Sequence, residues 1–236
     1  MKPQTPMLRP DRFFAERELN ALRLLLVAVV LTFSVPVAVS GLGWILTERV
    51  DGTVVVDNPD RPSDTYCETA LETMAEGCDA PKRIEQDVDV SIGRAVDDLL
   101  AASILAVPIG LLVFGGLLHA GSWLLDGENG AARSFAVALW GMAPSVVSLV
   151  VLLLVVYATF DPLTVTPDTG ASAFGDHLLA ELQPAFRVAP VASAVTTLWS
   201  GVIWRFGLVH ERGLSGGEAT GLAGGVAVLS FLVTLI

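Results

Sequence analysis

Five stretches of this chain run for 17 to 27 residues without a charged side chain, and each is long enough to cross a lipid bilayer as a helix. They are Leu24–Thr47, Leu99–Leu125, Ser134–Phe160, Val188–Trp204 and Ala219–Ile236. Overall, 53% of the residues are hydrophobic and 17% are charged, whereas a soluble domain carries about 25% charged residues. The sequence therefore predicts an all-α membrane protein, with a bundle of five transmembrane helices in one domain over residues 1–236.

The predicted helices cover approximately residues 22–47, 99–125, 134–160, 187–209 and 216–236. Arg205 interrupts the fourth run, but apolar residues continue to Val209, and a terminal arginine can extend to the interface. The first run is longer than the core of a signal peptide and follows 23 residues of mixed charge, so it is interpreted as a retained anchor. The runs lack the period-two alternation of outer-membrane strands.

Basic residues indicate the orientation in the membrane. With the N-terminus in the cytoplasm, the inner segments carry eight Lys and Arg residues, and the much longer outer segments carry six. Because inner loops are enriched in these residues, we expect a protein of the cell membrane with a cytoplasmic N-terminus and an outer C-terminus.

A long outer loop, residues 48–98, is expected between the first two transmembrane helices. Its part from Asp51 to Asp98 contains 13 of the 25 acidic residues, which fits a halophile-like hydrated surface, a face that attracts cations, or a plain solvated loop. Thr53–Val56 is a β-branched run followed by a turn, and Leu163–Thr166 repeats this pattern in the second outer loop. Since both segments lie on one side of the membrane, we expect these two short strands to lie close together and pair.

Two helical segments are predicted at the outer membrane surface. Apolar residues at four-residue spacing predict a helix that starts after Pro81, is capped by Asp79 and continues into the second transmembrane helix. The repeating residues are Ile84, Val88, Ile92, Val96 and Leu100. A shorter amphipathic helix is expected from Ser172 to Leu182, ending at Pro184.

Cys67 and Cys78 are the only cysteines, and both fall in the outer loop, where disulfides persist. The spacing allows a disulfide. The alternative is a helix over Asp64–Glu76, which would separate the two Cα atoms by more than the ~7 Å that a disulfide permits. No histidine lies nearby, so a zinc site is not indicated.

The N-terminal segment Asp11–Leu22 mixes Phe13 and Phe14 with several arginines. This composition fits an interfacial helix beneath the inner leaflet, and it equally fits the solvated start of the first spanning helix.

Three polar residues, His119, Arg205 and Glu218, lie at similar depth near the inner ends of their helices. Polar and ionisable groups within a bilayer are candidate functional groups, and Arg205 and Glu218 lie on adjacent helices, where they can pair beside His119. The alternative is that each side chain only reaches the membrane boundary. No charged residue is predicted near any midplane.

The chain carries no recognised catalytic, metal-binding or cofactor-binding motif. His210-Glu211 lacks the second histidine of a zincin helix, and Gly127–Gly130 lacks the Lys-Ser/Thr pair of a phosphate loop. Ser122 follows His119 outside any G-x-S-x-G turn. A net charge of −11 argues against a nucleic-acid partner. The sequence thus indicates a protein that is not an enzyme and needs no cofactor.

Small residues and prolines interrupt the apolar helices. Gly217, Gly221 and Gly225 share one face of the fifth helix, where they would let a neighbouring backbone approach. Packing within the bundle is the expected use of this face, and self-association is the alternative. Kinks or local unwinding are expected at the prolines of the first four helices. These are Pro36, Pro108, Pro144 and Pro190.

Two groups of residues resemble the Yip family, the Ypt/Rab-interacting multi-span membrane proteins. Gly130, Ser134, Phe135, Gly141 and Pro144 are similar to the entry to the family's third helix, and Trp199, Gly207, His210, Gly213, Leu214 and Ser215 to the segment before its last helix. Pro10–Phe14 is a weaker match. The chain departs from the pattern by inserting Glu211-Arg212 before Gly213. Its acidic composition suggests a prokaryotic, haloarchaeal branch.

The resemblance implies five helices and an inner N-terminus, and it brings no catalytic residues. Two functions are considered. The first is a scaffold or adaptor in the lipid bilayer that binds other membrane proteins or itself. The second is a transporter or permease component that uses the kinked helices and the three inner polar residues.

Overall fold

The computed structural model describes residues 4–16, 18, 20–69, 76–128, 130–169 and 171–233. Within them the helices are α1 (Pro10–Glu16), α2 (Ala21–Arg49), α3 (Asp64–Thr69), α4 (Val88–Leu124), α5 (Ala131–Met142), α6 (Pro144–Thr159), α7 (Ala171–Arg212) and α8 (Gly216–Val233). The strands are β1 (Val50–Asp57), β2 (Arg83–Asp87) and β3 (Leu163–Val165).

Five of the described helical stretches are long and apolar enough to cross a membrane, which confirms the predicted number. α2, α4, α7 and α8 each supply one, and α5 and α6 together form the span Ala131–Thr159. Only 11–28% of each apolar window is buried inside the protein, so most of these side chains face outward, as expected where lipid is the solvent. The predicted last residues of the fifth helix, 234–236, lie outside the described residues.

Buried side chains form two main clusters, one toward each end of the bundle. At the end that carries the strands, here called the sheet end, Ile45, Val88, Val156 and Phe160 pack together. At the opposite end, here called the turn end because it carries the connection between α7 and α8, the cluster includes Val137, Trp204 and Leu208.

The prolines affect the helices in different ways. α5 ends at Met142 and α6 begins at Pro144, and Ala143 between them keeps helical backbone angles (φ −57°, ψ −35°), so the helix is interrupted there for one residue without being unwound. α2 continues through Pro36, and α4 continues through Pro108.

The prediction that Pro184 ends a separate amphipathic helix is wrong, because α7 continues from Ala171 through Pro184 and Pro190 to Arg212. Phe174, Leu178 and Leu182 pack against the cluster at the sheet end. Ala185, directly after the proline, is buried in the same cluster. Packing on both sides of Pro184 thus holds the helical direction although the proline removes one hydrogen bond.

The three strands form a sheet in the order β2-β1-β3. The predicted pairing of the two loop strands is confirmed: β1 and β3 run parallel, with Val50 opposite Leu163 and Gly52 opposite Val165. Gly52 has φ +120°, and a side chain there would overlap the carbonyl of Val165, so this position requires glycine.

The prediction of a helix from Pro81 is wrong for its first part. Residues Arg83–Asp87 form β2, which pairs antiparallel with Thr53–Asp57, and α4 begins only at Val88. Ile84 and Val88 are four residues apart, a spacing that fits a helix and also fits one face of a strand. The backbone hydrogen bonds with β1 stabilise residues Arg83–Asp87 as a strand. The remainder of the prediction, one long helix into the membrane, is confirmed by α4.

A disulfide joins Cys67 and Cys78 in the connection between α2 and α4, and their Cα atoms are 5.6 Å apart. Helix α3 ends at Thr69, and the part of the alternative helix over residues 70–75 lies outside the described residues. Nearby, Lys82 donates a hydrogen bond to Asp64 that holds the pKa of this carboxyl below its usual value.

Candidate functional site

Helices α5 and α7 approach each other closely at two glycines of the family-like motif. A β-carbon on Gly207 would lie 2.6 Å from Val137 Cγ1, and one on Gly141 would overlap the ring of Trp204. Phe135 fills the equivalent space beside Gly115 of α4. Because only a hydrogen atom fits at these contacts, the glycines set the distance between the helices.

The connection between α7 and α8 is a compact turn. Gly213 adopts φ +69° directly after α7, a conformation that favours glycine. Leu214 is 4% exposed and packs into the turn-end cluster. The Ser215 hydroxyl accepts from the Glu218 backbone N–H at 3.4 Å, and the Glu218 carboxylate accepts from the Ser215 N–H at 2.9 Å, so the two residues form a capping box at the start of α8.

Arg212, at the last position of α7, is the largest fully buried side chain among the described residues and is 2% exposed. Its Nε donates to Ser122 Oγ at 3.0 Å, Nη1 to the Gly130 carbonyl and Nη2 to the Gly127 carbonyl, both at 3.2 Å. In return, the Arg212 carbonyl accepts from the Glu128 N–H at 2.8 Å. The residue therefore fastens the loop between α4 and α5 to the end of α7.

Glu211 lies beside it and is 4% exposed. Its carboxylate forms an ion pair with Arg133 near the start of α5, at 2.5 Å. A buried carboxylate is stable only when paired and hydrogen-bonded. Glu211 and Arg212 thus both connect α7 to the α4–α5 region.

The N-terminal segment covers the turn end of the bundle. Asp11 lies 2.8 Å from Nε2 of His210, and Trp199 Nε1 donates to the Met7 carbonyl at 2.8 Å. Phe13 and Phe14 are buried, and the Phe13 ring contacts the edge of Trp140 with ring centres 5.1 Å apart. The segment is not the start of the first span, since α1 covers Pro10–Glu16 and α2 begins at Ala21. Its two phenylalanines pack on the protein, and a position beneath the inner leaflet stays a prediction.

The three polar residues singled out near the inner face do not form one cluster. Arg205 Nε donates to Thr220 Oγ1 at 2.8 Å, and no ion pair within 4.0 Å joins Arg205 to Glu218. Glu218 takes part in the capping box instead. The Nδ1 atom of His119 is buried and has no hydrogen-bond partner in the described part of the chain. Of the two alternatives, the Arg205–Glu218 pair is not formed, because capping the start of α8 engages the carboxylate.

The expectation that Gly217, Gly221 and Gly225 pack within the bundle is also wrong. All three are exposed, and a β-carbon at any of them would meet nothing within 4 Å. α8 uses a different face for its contacts with the bundle, namely Ala219, Ala223, Val226 and Ala227. The glycine face, defined as Gly217, Gly221 and Gly225, points away from the other described helices.

A small cavity of about 270 Å³ lies beside the break between α5 and α6. Most of its surface is apolar, although seven of its lining residues carry a hydroxyl, namely Ser145, Ser148, Ser193, Thr196, Thr197, Ser200 and Ser230. Several of these hydroxyls donate to carbonyls of their own helix, as Ser200 does to Thr196 at 2.8 Å. Their remaining lone pairs make the cavity weakly polar. The sequence did not predict this cavity, because none of its described lining residues is charged.

The geometry assigns the polar residues of the turn end a structural role. Within the described ranges, no group of three His, Cys, Asp or Glu side chains is placed to hold a metal ion. Sequence reasoning missed Ser122, Glu211 and Arg212 as the buried polar network. The available signal was the insertion of Glu211-Arg212, two charged residues beside an apolar helix end.

A family model described as the Yip1 domain matches residues 6–236 of the chain. No curated protein and no solved structure shows significant similarity to this chain.

Proposed function

The chain belongs to the Yip1 domain family, and from this premise we propose that it is a non-enzymatic scaffold or adaptor that binds other membrane proteins, or a second copy of itself, within the bilayer. The observation that carries the proposal is the unoccupied glycine face of α8. A helix face of small residues lets another helix approach closely enough for extensive van der Waals contact.

Leu229 continues the glycine face by one turn, since it follows Gly225 by four residues, and its side chain is 48% exposed. The opposite, alanine-rich face of α8 is already buried against the bundle. An outward face of glycines offers lipid little side-chain contact, whereas a second helix can pack against its backbone. These two facts support a protein partner for this face.

We further propose that the protein lies in the cell membrane with its N-terminus in the cytoplasm. The count of eight basic residues against six supports this orientation. It would place the turn end of the bundle, including α1, at the cytoplasmic surface.

A photoreactive residue in place of Leu229, activated in native membranes, tests the scaffold proposal. We expect one reproducible protein adduct, and we expect Gly221→Leu to abolish it because the added side chain keeps the partner helix away. The matched control position is Leu112 of α4, which is 65% exposed and lies on another helix. Identical adducts from both positions, or an adduct that persists in Gly221→Leu, would contradict the proposal.

A transporter or permease component is the second candidate function, and the hydroxyl-lined cavity at the α5–α6 break favours it. Interrupted helices in transporters frequently border solute and ion sites near the midplane. If a deletion strain has a growth defect, complementation separates the two functions. Ser148→Leu narrows the cavity and should fail to complement if transport is the function, whereas Gly221→Leu should fail if the glycine face is the functional surface.

A further inference from the structure

A groove of about 480 Å³ separates the outer surfaces of α7 and α8, and a single arginine lies at one end of it. Its walls are apolar and include Leu198 and Val202 of α7 with Ala223, Ala227 and Phe231 of α8. Leu198 is 70% exposed, so the groove is open to the surrounding lipid along its length. The arginine is Arg205, which lies beside Thr220 at the turn end of the groove.

The length of the groove matches one leaflet of a bilayer. On α7 it extends from Ala194 to Arg205, and on α8 from Thr220 to Leu232, or about 16–18 Å at the rise of an α-helix. The hydrocarbon thickness of one leaflet is about 15 Å, half of the roughly 30 Å core. A groove of this length would place Arg205 at headgroup depth when its opposite end lies near the midplane.

Arg205 carries a charge that the protein does not neutralise. Thr220 Oγ1 accepts from its Nε and itself donates to the Gly216 carbonyl at 2.6 Å, which fixes the guanidinium beside the start of α8. Its other protein contact of note is with the ring of Phe206, 4.6 Å away. No carboxylate of the described residues lies within 4.0 Å of it. A guanidinium presents planar donors that suit a phosphate group.

We propose that this groove binds one phospholipid with an anionic headgroup, whose phosphate contacts Arg205 and whose acyl chain lies between α7 and α8. Apolar walls of leaflet length accommodate the chain, and the unpaired cation at headgroup depth selects for negative charge. The groove and the glycine face share no residue, but they adjoin on α8, since Val228 and Leu232 of the groove follow Gly225 by three and seven residues.

A second groove on the same protein serves as an internal comparison. It lies among α2, α6 and α7, has a volume of about 340 Å³ and is lined by apolar residues such as Val39, Leu152 and Phe186. No charged residue lines it. Lipid bound in the second groove should therefore show no preference for headgroup charge.

The test is native mass spectrometry of the full-length protein in detergent, titrated with phosphatidylglycerol or with phosphatidylcholine of the same acyl chains. The wild-type protein should bind the first phosphatidylglycerol about tenfold more tightly, as expected for one charge-assisted contact. Arg205→Gln should abolish this preference, and Arg205→Lys should keep part of it.

Two neighbouring glycines provide a matched pair of variants. Gly224 lines the groove and Gly225 does not, and a β-carbon at either would meet nothing within 4 Å. Gly224→Leu should fill the groove and weaken the tightest phosphatidylglycerol site about tenfold or more, whereas Gly225→Leu should bind like the wild type. This comparison does not depend on the folding of the arginine variants.

Equal wild-type affinity for the two lipids would overturn the proposal, as would a headgroup preference that survives in Arg205→Gln. Equal lipid binding by Gly224→Leu and Gly225→Leu would also overturn it. If Gly224→Leu changed the oligomeric mass but not lipid binding, the occupant of the groove would be a second copy of the chain.

Discussion

At the scale of single residues, Arg212 shows how this protein accommodates a buried charge. Its guanidinium meets the Gly127 carbonyl just beyond the end of α4, near the carbonyls that give a helix C-terminus its partial negative charge. The family-like pattern could predict that Gly213 and Leu214 form a turn. It could not predict that the inserted Glu211-Arg212 is buried, because charged residues at a helix end are ordinarily solvated and only the loop between α4 and α5 supplies their partners.

Replacing Arg212 with methionine should therefore destabilise the protein by about 3 kcal/mol, since the two carbonyls and the Ser122 hydroxyl lose their donor in a buried site. Thermal unfolding in detergent measures this effect as a lower Tm. The control is Arg83→Gln, because the Arg83 side chain is 74% exposed and its ion pair with Asp57 is long, at 3.7 Å. Similar Tm values for the two variants would show that the Arg212 network contributes little.

At the scale of elements, the sequence identifies the long helices better than the short segments between them. A membrane-spanning helix forms its backbone hydrogen bonds within its own segment. An uninterrupted apolar run is therefore enough to identify a span without knowledge of its packing partners. Ile84 and Val88 allowed a helix or a strand, and only pairing with β1, some 30 residues earlier in the chain, decides between them. Pro184 likewise predicts a helix end from sequence alone. The helix continues because neighbouring residues such as Phe174 and Leu182 pack against the sheet end of the bundle.

The attachment of α1 is the element-scale feature that is most directly testable. Each truncation of a buried phenylalanine costs about 3–5 kcal/mol, so the double variant Phe13→Ala, Phe14→Ala should release α1 from the bundle. Trypsin should then cleave after Arg12 much faster than in the wild type, because cleavage follows the population of the released form.

Phe33→Ala is the control for this experiment, since Phe33 lies on α2 and is 59% exposed. It should leave the cleavage rate unchanged. Protection of Arg12 that persists in the double variant would mean that Asp11–His210 and Met7–Trp199 suffice to hold α1.

At the scale of the whole molecule, the described residues contain five helical stretches long and apolar enough to cross a membrane, and five crossings would place the two ends of the chain on opposite sides. Composition and run length were sufficient to predict this arrangement, because the number of spans depends on local apolar content alone. Composition could not predict which face of α8 packs against the bundle. Both its glycine face and its alanine face consist of small residues that allow a neighbouring helix to approach. The structure buries the alanines and leaves the glycine face outside.

The proposed orientation predicts how tags at the two termini behave. In intact cells, an impermeant antibody or protease should reach an epitope tag after Ile236 and should not reach one before Met1. Permeabilised cells provide the control, since both tags should then be accessible. Access to the N-terminal tag alone in intact cells would reverse the orientation.

The attachment of the N-terminal segment also has a consequence for biogenesis. Asp11 and its partner His210 are 199 residues apart in sequence, so a ribosome that adds about 5–20 residues per second reaches His210 roughly 10–40 s after Asp11. Trp140, which contacts the Phe13 ring, is synthesised during that interval, but Trp199 and His210 follow only later, so the docking site of α1 is incomplete until α7 has been made. Closure of the bundle is therefore a late step, completed only when the last two helices have been inserted.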